Sequence, residues 1–121
     1  MRILEELLPD VYLIEFFRSE DSRGYFGKTF SSCFFQRHNI KFSPQESFFS
    51  ISSKNVLRGL HFQRSPFSHS KLVFCSFGSF LDVIVDVRQD SPNYNKPISF
   101  ALDDQCPHAL YIGKGLSLIH I

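Results

Sequence analysis

Apolar residues return along most of this chain in short alternating runs, punctuated by Gly, Pro, Asn, Asp and Ser. A period of two is the mark of a strand with one buried face. Residues 80–87 carry it most clearly: Leu81, Val83, Val85 and Val87 share one face, Asp82, Ile84 and Asp86 the other. The same pattern predicts a strand over 11–17 after the Pro9-Asp10 break, a polar turn over 19–24 and an aromatic return over 25–30, the two strands forming a hairpin. Further strands are predicted over 47–52, 56–62, 71–77, 98–102 and 109–112, with turns at 64–70, Gly78-Ser79 and 90–93. One short helix is expected near residues 31–38, capped by the hydroxyl of Ser31 or Ser32 and ending near Asn39. Strands this short, without helices between them, imply an all-β antiparallel sandwich or barrel.

Composition narrows the class. The 121 residues make a single domain, 1–121, with 43% hydrophobic and 21% charged residues, an ordinary globular balance. A net charge of +1 offers no global attraction for nucleic acid or an anionic membrane, so any anion binding is local. Fifteen phenylalanines and no tryptophan suggest either A+T-rich coding or a sandwich filled by aromatic rings. Cys33, Cys75 and Cys106 are odd in number and contain no CxxC pair, which argues against a disulfide framework and a structural zinc site and fits a cytoplasmic protein. The first nine residues are too short and acidic for a signal peptide, and no apolar run reaches the ~18 residues of a membrane span.

The chemistry concentrates in Val56-Leu57-Arg58-Gly59-Leu60-His61-Phe62-Gln63, where a guanidinium and an imidazole interrupt an apolar run. Ionisable groups are costly in a poorly solvating interior unless paired, so this strand is expected to face a ligand cavity. Perfect alternation would send Arg58 and His61 to opposite faces; a bulge at Gly59 would bring them together. The plainer alternative is a surface arginine beside a core histidine. Lys71 opens the next strand and Arg23 sits beside a hairpin glycine, so these cations either converge with Arg58 on a phosphate or stand solvated in turns. Asp82 and Asp86 either pair with such cations, orient a histidine, or face solvent. Between His61 and His69 the place of a second ligand falls to Gln63, a poor donor, so no metal is expected.

The segment 54–63 resembles the signature of the dTDP-4-dehydrorhamnose 3,5-epimerase family of nucleotide-sugar epimerases. The likeness continues through Lys71-Leu72-Val73, GSFLDVIVDVR at 78–88, Ser91-Pro92 and Tyr94. DSRGYF at 21–26, Gln45-Glu46-Ser47 and Tyr111-Ile112-Gly113-Lys114-Gly115 resemble other blocks, so the match spans roughly 8–115. It implies a cupin-type jelly roll, a homodimer, no metal or other cofactor, and a nucleotide-sugar substrate. His61 then matches the catalytic base and Lys71 a cation beside the enolate. Arg23 and Arg58 match residues holding the nucleotide and phosphate, Phe26 an aromatic near the nucleobase, and Gln45 and Ser47 substrate contacts. Lys28 stands where the family usually has glutamate, Ser47 where it often has asparagine, and Gly113 where proline is frequent.

Family members run well beyond this length. A second site histidine, a tyrosine acid and an aspartate orienting the base have no match here, so the jelly roll is expected to be incomplete at its C-terminal end and the chain inactive by itself. Residues 116–121 are expected to be foreign to the family, with His120 off the family's histidine position. The implied reaction is epimerisation of a nucleotide-diphospho-4-keto-6-deoxysugar. The alternatives are a single-carbon epimerase on another nucleotide sugar and a non-catalytic binding cupin.

Overall fold

The computed structural model describes residues 1–120. Ten strands and one helix follow in order: β1 Arg2–Leu8, β2 Val11–Glu15, β3 Phe17–Asp21, β4 Gly24–Lys28, α1 Ser32–Arg37, β5 Arg58–His61, β6 Lys71–Phe74, β7 Ser79–Asp86, β8 Pro97–Asp103, β9 His108–Ile112 and β10 Leu116–His120. Two four-stranded sheets, ordered β1-β2-β9-β6 and β5-β10-β7-β8, face each other, and β3 and β4 form a separate ribbon. All strand pairs are antiparallel. This is the all-β, jelly-roll type of architecture that the pattern and the resemblance implied.

Several elements differ from the sequence reading. The run 11–17 splits at Phe16, which is buried and whose N–H donates to Pro107 O at 2.8 Å. The hairpin therefore joins β3 to β4, with Asp21 opposite Gly24, and the predicted polar turn shrinks to Ser22 and Arg23. Strand β1 was not predicted; it is mostly exposed and carries two adjacent glutamates, and pairing with β2 overrides their weak strand propensity. Ser31 does precede the helix, but its side chain makes no capping bond; its carbonyl accepts from Phe34 N and Phe35 N instead. The expected strand at 47–52 is absent: residues 40–57 hold no helix or strand, and Phe48, Phe49 and Ile51 are 84–87% exposed.

The interior is aliphatic. Leu8, Val11, Leu13, Ile84, Leu102, Leu110, Ile112, Leu116 and Leu118 pack between the sheets, with Cys75. The phenylalanines do not fill it, contrary to the aromatic-core reading. Phe34 and Phe35 instead close the outer face of the first sheet, against Ile14 and Tyr111, and most other Phe rings are exposed. Burying each such ring contributes about 1.5–3 kcal/mol.

On β7 the inner face is the more polar one: Asp82, Ile84 and Asp86 are fully buried while Leu81 is exposed. Asp86 survives there because it is saturated with donors. It accepts from Arg88 Nε at 2.9 Å, Arg88 Nη2 at 2.8 Å, Arg88 N at 3.0 Å and Ser91 Oγ at 2.6 Å. Arg88 reaches on to Asp10 Oδ2 at 2.8 Å and Pro9 O at 2.9 Å, tying the end of β7 to the β1–β2 turn. The guanidinium, aided by Ser91, holds the Asp86 carboxyl down at about 2 despite burial. Next to this tie, Gly113 N donates to Asp10 O at 2.8 Å, a bond a proline would lack.

Two outcomes are expected. A Cβ at Gly113 would lie 2.6 Å from Asp10 Cβ, so Gly113→Ala lowers unfolding stability by about 1–3 kcal/mol, read from urea midpoints. Asp86, depressed when folded, adds about 2 kcal/mol above the ordinary carboxylate range; that share fades as pH falls from about 4 towards 2, and titrating the urea midpoint checks it.

Candidate active site

The site is built where β5, β10 and β7 run side by side. Leu118 of β10 lies opposite His61, and His120 opposite Arg58. Two steps along β10 thus match three along β5, so β5 holds one extra residue between Arg58 and His61. That is the bulge expected at Gly59, and it cancels their odd spacing. Glycine itself is not demanded, because a Cβ at position 59 meets nothing within 4 Å.

His61 is exposed, and its Nδ1 lies 3.1 Å from Gly59 O. An Nδ1–H donated to that carbonyl leaves Nε2 as a free proton acceptor, the tautomer a base needs. Its ring centroid lies 6.2 Å from that of His120. His120 in turn directs Nδ1 to Oδ1 of Asp82, which stands opposite it on β7. The bond is charge-assisted when the imidazole is protonated.

Lys71 opens β6 in the facing sheet and is partly buried. Burial lowers its ammonium below the usual lysine value, and the charge of Asp82 opposes that fall. Burial raises the Asp82 carboxyl, against the bond from His120 and the charge of Lys71. Two imidazoles, a carboxylate and an ammonium therefore share one end of the sandwich.

The other sequence candidates lie elsewhere in the chain's contacts. Arg23 is exposed and bonded to Asp21, Nη2 to Oδ2 at 2.6 Å. Phe26 is 60% exposed on the ribbon, against Phe17. Gln45 donates Nε2 to Ser43, and Ser47 is exposed on the same irregular segment. Arg58 donates Nε to Ser52 Oγ at 3.1 Å and Nη2 to Ile51 O at 3.4 Å. A cavity of about 630 Å³ opens beside Gln63, Arg64, Arg88, Tyr94 and Lys114, and neither His61 nor Lys71 lines it. Among the described residues no three His, Cys, Asp or Glu side chains group as a metal site, and no helix is long and apolar enough to cross a membrane. The three cysteines are free.

His120 escaped the sequence reading. The signal was parity: it sits two residues after Leu118 and so shares that residue's inward face.

Residues 5–118 match the family dTDP-4-dehydrorhamnose 3,5-epimerase. The chain belongs to that family. It is 36% identical over 120 residues to the dTDP-4-dehydrorhamnose 3,5-epimerase of Escherichia coli K12, covering 97% of this chain and 64% of that relative's length. The family's enzyme from Bacillus anthracis, solved with TDP and PPi bound, superposes with a TM-score of 0.93 at 28% identity, covering 98% of this chain and 69% of that one. A 3'-monoepimerase from Streptomyces bikiniensis, in complex with dTDP-quinovose, gives 0.85 at 27% identity, over 93% of this chain and 57% of that one. The chain thus spans just under two thirds of the E. coli epimerase's length. The match includes Leu116, Ser117 and Leu118, and residues 116–120 form a strand between β5 and β7.

Proposed function

We propose that this chain carries the proton-abstracting side of an epimerase site for a nucleotide-diphospho-4-keto-6-deoxysugar. The substrate that family membership favours is dTDP-4-dehydro-6-deoxy-D-glucose, converted to dTDP-4-dehydro-L-rhamnose in deoxysugar biosynthesis. The carrying observation is His61, with Nε2 free, at the end of the sandwich that also holds the half-buried Lys71 and the buried Asp82.

The chemistry follows from the ketone. A carbonyl at C4 acidifies the hydrogens at C3 and C5. His61 Nε2 removes one, the C–H electron pair moves into the new C=C bond, and the carbonyl oxygen becomes an enolate. The Lys71 ammonium stabilises that developing charge. Reprotonation from the opposite face inverts the carbon. Arg23 and Arg58 would hold the diphosphate, Phe26 the nucleobase, and Gln45 and Ser47 the rest of the substrate; no cofactor takes part.

His61 has a main-chain carbonyl behind it rather than a carboxylate, among the described residues. Neither the orienting aspartate nor the tyrosine acid implied by the resemblance has a match, so the 121-residue chain alone is expected to turn over far more slowly than its longer relatives. We also assign it to a homodimer. Phe48, Phe49 and Ile51, bared on a segment with no partner, support that reading, because such side chains are normally covered. Free cysteines and a nucleotide-sugar substrate favour the cytoplasm.

The likeness to a 3'-monoepimerase supports a second reading, inversion at one carbon only. NMR of the product separates the two. Solvent-deuterium incorporation into the 4-keto sugar tests the main reading in a chain extended to the length of its relatives: there His61→Asn lowers the rate about 10²–10⁴-fold while dTDP affinity persists. An unchanged rate refutes His61 as base, and binding without any turnover in that extended chain favours a non-catalytic cupin. Sedimentation tests the dimer: replacing Phe48 and Phe49 by serine is expected to yield monomer.

A further inference from the structure

Asp82 is fully buried, yet only one of its oxygens is used. Oδ1 receives His120, and Oδ2 has no hydrogen-bond partner among the described residues. A carboxylate oxygen sealed from water and left open is a vacancy that a donor should fill. Three titratable groups surround it: His120 from β10, Lys71 from β6, and His61 from β5 beyond the His120 ring. Of these, Lys71 is the cation whose charge acts on Asp82 from the facing sheet, and its side chain is not committed to any other hydrogen bond or ion pair among the described residues. A lysine stem turns about four single bonds, so a fixed acceptor within reach decides where its charge stands.

We propose that Asp82 is a positioning residue, whose open Oδ2 draws the Lys71 ammonium inward beside His61 and keeps it charged there. Lys71 is tethered at the first residue of β6, opposite Ile112, so only its side chain needs to move. The assignment deepens the epimerase reading, in which Lys71 faces the enolate oxygen, and the function of the pair rests on that reading. The pairing itself is a property of this chain and is measurable without substrate.

The test is a reciprocal NMR titration of the 121-residue chain. With the lysine side chains isotopically labelled, Asp82→Asn is expected to lower the Lys71 midpoint by about one pH unit, a tenfold change in its protonation equilibrium. An unmoved midpoint overturns the proposal. If Asp82→Asn disturbs the fold, Lys71→Met serves, since that side chain is only half buried. In Lys71→Met the Asp82 carboxyl, followed by its own carbon resonance, is expected to titrate about tenfold more readily to the neutral form, because coupling is mutual. An Asp82 midpoint that stays in place refutes the pairing. Coupling in this chain with no sugar-proton exchange, even once the chain is extended to the length of its relatives, counts against the epimerase reading and leaves the pairing standing.

Discussion

A buried carboxylate must be supplied with donors, and β7 carries two of them on its inward face. Moving an unpaired charge out of water costs several kcal/mol, roughly, so the residues around Asp82 and Asp86 are constrained before any function is considered. At Asp86 the supply is complete: guanidinium, main-chain amide and hydroxyl all point at it, and the same guanidinium clasps the β1–β2 turn. At Asp82 it is incomplete, with one oxygen answered and one open. The same strand therefore presents a finished structural lock at one end and an unfinished polar centre at the other. Ile84 between them belongs to the aliphatic core that keeps both ends dry.

That division clarifies why one end of the sandwich can host chemistry. A saturated carboxylate has no lone pairs to offer and its proton affinity is pinned low. An unsaturated one, raised by burial, responds to whatever cation or imidazole approaches. His61, Lys71 and His120 gather round the second kind. In the proposed reaction, charge appears on a substrate oxygen, and such charge is best met by preorganised cations.

Much of the architecture was legible from alternation, because a two-residue period survives in β7 and β8 whatever packs against them. Its sense was not. On β7 the more hydrophobic set points outward, since Asp86 brings its own arginine with it and hydrophobicity alone cannot see that pairing. Residues 47–52 read as strand from composition but lack a ladder, which local sequence does not reveal. Phe34 and Phe35 filled a niche outside the sandwich because the helix that bears them lies on the outer face. At the site, His61 and Lys71 stood out by motif; the open oxygen of Asp82 needed three strands to be placed first.

Strand β5 is an edge strand, and β10 is its sole neighbour in the sheet. The ladder that seats His61 is thus written far downstream of His61 itself. On a ribosome emitting the chain from its N-terminus, the segment that bears His61 has no sheet to join until β10 has emerged. Until then Leu57, Leu60 and Phe62, exposed even in the finished fold, stand beside an unpaired backbone edge. The strand that carries His61 therefore gains order only after β10 has emerged, and until then its exposed edge is open to capture by a chaperone or by another copy of the chain.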